Sequence, residues 1–228
     1  MKRGIVIAGA MLLASCQTVR SNDPNMPANA YLEGKGPPVG VVLCHGRGQH
    51  PTWYVVDPLR KGINEQLGYH TLSIQLPTGS VSWSDYGRYF PEAHRNIAAA
   101  VRYLKEEKKV EKVYLMGHSM GSRMATSYLA ENPNSGVTGF IGVGMRNGGS
   151  APLDSNSNLR GVSLPVLDVY GDGGDAADAV DAVARARTRA DILGKTYQQV
   201  LIPGADHQFS GHEKEMVLAV VTWLKAQP

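Results

Sequence analysis

Val113-Tyr114-Leu115-Met116-Gly117-His118-Ser119-Met120-Gly121-Ser122-Arg123 is the stretch that decides the fold. An apolar run, Val113 to Met116, leads into it. A helical run, Ser119 to Glu131, leads out and stops before Pro133. The first reads as a short buried strand and the second as a helix. Ser119 stands at the join, with Gly117 and Gly121 two residues away on either side. A sharp strand-to-helix turn needs that spacing, because side chains at the flanking positions would collide with strand and helix. Such a turn lifts a serine Oγ clear of the sheet end. It also sets backbone N–H groups and a helix N-terminus where negative charge can be stabilised. Ser119 is therefore a candidate nucleophile. The blander reading is a Gly-rich turn with a capping serine.

Working outward, short apolar runs alternate with amphipathic ones. Val39 to Leu43, His70 to Leu76, Val137 to Val143, Val166 to Tyr170 and Gln199 to Ile202 read as further strands. Tyr54 to Leu67, Pro91 to Lys108, Ala176 to Leu193 and Glu213 to Lys225 read as helices. Pro91 suits a first helical turn. Alternating strands and helices predict an α/β fold: a mostly parallel sheet with helices on both faces. The near-continuous apolarity of the strands agrees, since such strands are buried on both sides. Between Val143 and Val166 there is no long insertion. Any cap over the strand ends is expected to be small or absent.

The N-terminal end reads as an address. Lys2 and Arg3 precede an apolar run from Ile5 to Leu13 that is too short to span a bilayer. Leu13-Ala14-Ser15-Cys16 then resembles a bacterial lipobox. That resemblance implies a signal peptide over 1–15, removal before Cys16 and acylation of Cys16. It also implies a membrane partner and a place in the cell envelope, facing the periplasm, with the outer membrane favoured. Residues 16–38, rich in Asn, Pro, Ser and Gly, read as a flexible tether, and residues 39–228 as the folded domain.

Composition narrows the partners. The 228 residues are 43% hydrophobic and 19% charged, as in ordinary globular domains. Removing Lys2 and Arg3 from the formal net charge of +3 leaves about +1. No basic surplus calls for nucleic acid. Cys16 and Cys44 are the two cysteines. Neither belongs to a zinc-type cluster, and Cys44 reads as a small core residue. No phosphate-cradling Gly-rich loop follows a strand, so no cofactor is expected.

With these residues in view, the chain resembles an α/β-hydrolase from about Val39 onward. Leu164 to Gly171 and Pro203 to Phe209 narrow the resemblance to a bacterial group of that fold with unassigned function. The superfamily order is nucleophile, acid, then histidine. Leu43-Cys44-His45-Gly46-Arg47-Gly48 is similar to its His-Gly loop. The resemblance implies an oxyanion hole from the backbone N–H groups of Arg47 and Met120. His45 itself reads as a structural loop residue. Of seven histidines, only His207 and His212 follow the last predicted strand. His207, directly after it, is favoured as the base. The acid should follow the strand ending at Tyr170, in Gly171-Asp172-Gly173-Gly174-Asp175. Asp175 is favoured and Asp172 is the alternative. Asp178 falls on the following helix. Asp168 lies within the strand as a structural carboxylate, and Asp206 shapes the His207 loop.

The expectation is a serine hydrolase acting on a small or lipid-like acyl ester or thioester. Two rivals stand beside it. One is a non-catalytic binding or assembly lipoprotein on a hydrolase scaffold, motivated by the irregular acid loop. The other is an amidase or peptidase, which a triad alone does not separate from an esterase.

Overall fold

The computed structural model describes residues 29–174, 177–190 and 196–228. The predicted signal peptide, Cys16 and Asp175 lie outside the described residues. Seven strands form one sheet: β1 (Ala30–Leu32), β2 (Val39–Cys44), β3 (His70–Ile74), β4 (Lys112–His118), β5 (Gly139–Val143), β6 (Val166–Gly171) and β7 (Tyr197–Ile202). The helices are α1 (Val56–Leu67), α2 (Phe90–Glu106), α3 (Met120–Glu131), the single turn α4 (Ser155–Asn158), α5 (Ala177–Ala190) and α6 (Glu213–Lys225). Pro91 sits in the first turn of α2, where its missing N–H costs nothing.

The spatial strand order is β1-β3-β2-β4-β5-β6-β7. β1 runs antiparallel to β3, and every other pairing is parallel. From β2 the chain steps outward to β3, then returns to lay β4 on the other side of β2. Right-handed crossovers in the two directions put their helices on opposite faces. Accordingly α1 packs with α6, and α2 packs with α3. Each face has its own apolar core. One is built on Val42, Leu72, Ile97, Leu115, Met124 and Phe140. The other is built on Val41, Ile63, Met116, Ile141, Val220 and Trp223. Strands buried on both faces explain the unbroken apolar runs.

The reversal between β2 and β4 opens a crevice at their C-terminal ends, where α/β folds place their sites. Cys44 and Gly117 are paired neighbours there. The loops beginning at His45 and at Ser119 therefore leave the sheet side by side.

The fold begins earlier than the sequence reading placed it. Ala30–Leu32, assigned above to the tether, is an edge strand: Ala30 pairs with Ser73, and Leu32 with Thr71. Tyr31 is buried, and its hydroxyl meets His70 Nδ1 at 2.7 Å. A three-residue strand followed by Gly34, Gly36, Pro37 and Pro38 has too few positions to display a period. Other boundaries differ from expectation by a residue or two at most of the element ends. The β5–β6 connection carries only α4 and a short 3-10 turn, Leu159–Gly161.

Candidate active site

Ser119 has φ 52° and ψ −118°, outside the regions open to ordinary side chains. Neighbouring backbone enforces that geometry. A Cβ on Gly117 would lie 2.5 Å from Ser122 Cα, and one on Gly121 would lie 2.3 Å from the Cys44 carbonyl oxygen. Both glycines are required because backbone, which cannot move aside, fills the space. The Ser119 N–H donates to Val143 O at 3.3 Å, and Ser119 O accepts from Ser122 Oγ at 2.6 Å and Ser122 N at 3.1 Å. The strained turn is held from both sides.

His207 reaches Ser119 from the loop after β7. Its Nε2 stands 2.9 Å from Ser119 Oγ. Its Nδ1 stands 2.8 Å from Asp178 Oδ2. A carboxylate only accepts, so the proton sits on Nδ1 and Nε2 accepts from the serine hydroxyl. The loop is built to hold this pose. Asp206 Oδ1 accepts from Gln208 N at 2.9 Å and Ser210 N at 3.0 Å, which also holds its carboxyl below the ordinary range. Phe209, with φ 56°, is fully buried beneath it.

His118, the residue before Ser119, adds a clamp. It is completely buried, and its Nε2–H donates to the His207 carbonyl at 3.0 Å. Burial first, then the nearby His207 charge, lowers its pKa to about 3, so it stays neutral. Gln49 ties the third loop in: its Oε1 accepts from Gly46 N at 3.0 Å and its Nε2 donates to Gln208 Oε1 at 3.2 Å. His45 is structural, as expected. Nδ1–H donates to Gly46 O at 2.8 Å and Nε2 accepts from Leu76 N at 3.0 Å. Burial lowers its pKa to about 4.

The acid position departs from the sequence reading. Asp178, in the first turn of α5, meets His207. Asp172 instead accepts from Gly204 N at 2.7 Å, tying the two loops together. In sequence Asp172 and Asp175 fall between β6 and α5, but the first turn of α5 supplies the carboxylate. A signal for this was present in α5. Its inward stripe is Asp178, Ala182, Arg185 and Thr188, all buried. A helix that turns charged residues inward is serving partners other than an apolar core. Asp178 Oδ1 also accepts from Arg146 Nη1 at 3.2 Å, and Arg146 Nε lies 3.3 Å from Asp181 Oδ2. Asp168 is structural as expected, gripped by Arg185 through Nε at 2.8 Å and Nη2 at 3.0 Å.

An open cleft of about 680 Å³ contains Ser119 and His207, with Arg47, Met120, Trp83, Arg123, Arg146 and Asp181 among its lining residues. The predicted nucleophile, base and oxyanion residues thus share one cleft. Trp83 lies at its mouth, 46% exposed, whereas Tyr86 and Phe90 are core residues. Met120 opens α3, so its N–H has no intrahelical acceptor. Among the described residues no group of three or more His, Cys, Asp or Glu is placed to hold a metal ion, and no helix is long and apolar enough to cross a membrane.

The family described as protein of unknown function (DUF3530) matches residues 83–226. The chain belongs to that family. The match takes in Ser119, Asp178 and His207 and leaves Arg47 outside. No curated protein matches this DUF3530 member in sequence. Its fold has many solved counterparts. Est1E from Butyrivibrio proteoclasticus, solved with ferulic acid bound, is 20% identical, with a TM-score of 0.68 over 88% of this chain and 94% of that one. An α/β serine hydrolase homologue from Coxiella burnetii is 19% identical, with a TM-score of 0.66 over 86% and 90%. XC6422 from Xanthomonas campestris, described as an α/β serine hydrolase without lid, is 17% identical, with a TM-score of 0.62 over 88% and 91%. At these identities the likeness establishes the fold. This DUF3530 protein has the α/β-hydrolase scaffold.

Proposed function

We propose that the protein is a serine hydrolase of carboxylic esters or thioesters, with Ser119 as nucleophile, His207 as base and Asp178 as acid. One observation carries this reading: His207 bridges the Ser119 hydroxyl at 2.9 Å and the Asp178 carboxylate at 2.8 Å. Those are productive distances for proton transfer. His207 Nε2 takes the Ser119 proton as Oγ bonds to the acyl carbon. The N–H groups of Met120 and Arg47 receive the oxyanion. His207 then returns the proton to the leaving alkoxide or thiolate as its bond to the acyl carbon breaks. Water, deprotonated by the same His207, attacks the acyl carbon; the acyl–Oγ bond breaks, Ser119 Oγ takes the proton back from His207, and the acid is released. Asp178 keeps His207 in the required tautomer and stabilises its cationic form.

Ser119→Ala should lower p-nitrophenyl butyrate hydrolysis by about 10⁴-fold or more. A variant working at the parent rate contradicts the reading.

The proposal extends to location. A lipid on Cys16 would tether the domain in the cell envelope, facing the periplasm. Residues 17–29 would then link the anchor to β1, with a contour length of at most ~45 Å. Palmitate labelling of the wild type and its loss in Cys16→Ser test this; equal labelling of both contradicts it.

A further inference from the structure

The cleft around Ser119 is rich in guanidinium groups. Arg47, Arg123 and Arg146 line it, and Asp181 is the lining carboxylate among the described residues. Two of these charges are neutralised locally: Arg146 engages Asp178 and Asp181. Asp181 Oδ2 also accepts from Asn147 N at 2.9 Å.

Arg123 is different. It is 7% exposed, yet among the described residues no carboxylate lies within ion-pair distance of it. Its hydrogen bonds go to neutral carbonyls: Nη1 to Gly148 O and Leu153 O, and Nη2 to Asn147 O, each at 2.6 Å. A guanidinium has five N–H donors, so two remain, on Nε and Nη2. Trp83 lies against it, with the guanidinium carbon 5.4 Å from the ring centroid. Burial lowers its pKa, and Asp181 and Asp154, acting only from beyond contact, do not outweigh that. A buried cation with no carboxylate in contact is costly. Its position is telling. Arg123 stands in the first turn of α3, directly after the Ser119 turn, and lines the same cleft as Ser119. Arg47 stands at the rim of the same cleft. Among the described residues its side chain makes one long bond, Nη1 to Val81 O at 3.4 Å.

We infer that Arg123, assisted by Arg47, is a subsite for an anionic group on the substrate. The ester cleaved at Ser119 carries a carboxylate or phosphate a few bonds from its scissile carbonyl. The inference rests on the hydrolase reading and narrows its substrate class. Both oxyanions suit a guanidinium fork, and the substrate's charge supplies the contacting anion that Asp181 and Asp154 do not. Trp83 and the exposed Val180 offer apolar walls to the chain joining anion and ester.

The test compares matched pairs at low ionic strength. In the first arm, p-nitrophenyl hemiglutarate is set against its neutral methyl ester. In the second, dihexanoyl phosphatidic acid is set against dihexanoylglycerol. In at least one arm, kcat/KM should favour the anion by about tenfold or more, with the preference shrinking as salt rises. The arm that responds identifies a carboxylate or a phosphate. In Arg123→Gln that ratio should fall toward one. Loss of folded protein lowers both rates together and leaves the ratio intact. Arg47→Gln, whose backbone N–H is retained, should reduce the ratio less. Neutral esters turned over as fast as anionic ones in both arms, with Ser119 labelled by a fluorophosphonate, overturns the subsite alone. An unlabelled Ser119 without turnover of any ester overturns the hydrolase reading and the subsite with it.

Discussion

Asp168 and Asp178 flank the same β6–α5 connection, and both are almost completely buried, at 0% and 4% exposure. Each meets an arginine and one further side chain or more, yet the two assemblies differ in kind. Asp168 accepts from Arg185 through two N–H groups, from Tyr197 Oη at 2.5 Å and from Gln199 Nε2 at 3.0 Å. Arg185 is itself fully buried. Burial alone would lower its pKa, but the Asp168 charge and hydrogen bonds outweigh that and raise it. Asp178 accepts from His207 and Arg146, whose side chains are 28% and 30% exposed in the cleft. Asp168 is held by partners that do not line the Ser119 cleft: Arg185 is fully buried, and Tyr197 and Gln199 are half-buried. The partners of Asp178 line that cleft. The place of the partners, rather than burial of the acid, separates the two assemblies.

The sharpest way to break this contrast is to neutralise each carboxylate in turn. Asp178→Asn should cut ester turnover by about 10⁴-fold, because His207 loses its tautomer and its counter-charge. Its stability should change far less than that of the Asp168 variant. Steady-state kinetics beside a urea melt reads both quantities. A loss below tenfold would remove Asp178 from the acid role.

Asp168→Asn should behave in the opposite way. It leaves Arg185 buried against a neutral amide, and breaking such a pair costs about 3–5 kcal/mol. Urea midpoints should drop accordingly, while turnover per folded molecule stays within a few-fold. Full stability with lost activity would reverse the two roles.

A smaller effect belongs to the buried histidines. His118 and His45 have folded pKa values of about 3 and about 4, against an unfolded value near 6.5. Between these values the unfolded chain binds protons that the native state refuses. Stability is therefore full above pH ~6.5 and falls as pH drops toward the folded values. Each histidine adds a slope of up to ~1.4 kcal/mol per pH unit. His118→Asn should be less stable at neutral pH but lose stability less steeply between pH 7 and 4.5. Parallel curves for variant and parent would contradict this account.

Smallest of all, Asp172→Asn should leave activity within about twofold and cost ~1 kcal/mol or less, since it removes one loop contact. A loss as large as that of Asp178→Asn would restore Asp172 as the acid.

The sheet, the turn at Ser119 and the placement of His207 beside it were legible because each rests on a local pattern. Apolar runs mark strands buried on both faces, and Gly117 and Gly121 mark a backbone crossing that excludes Cβ atoms. Asp178 was obscured because a carboxylate's reach depends on where the helix axis points, which loop counting cannot supply. β1 was obscured because Ala30-Tyr31-Leu32 is too short to show a period. Arg123 left no trace in spacing either. It looks like an ordinary helical arginine until the loop over residues 147–153 folds across it.

The central claim is that His207, held by Asp178, activates Ser119. The most direct measurement is the rate at which a fluorophosphonate modifies the protein, followed by intact mass and peptide mapping, in wild type and in His207→Ala. The account predicts a single adduct on Ser119 in the wild type and labelling slowed by about 10³-fold or more in the variant. An unmodified Ser119, or labelling equally fast without His207, would contradict it.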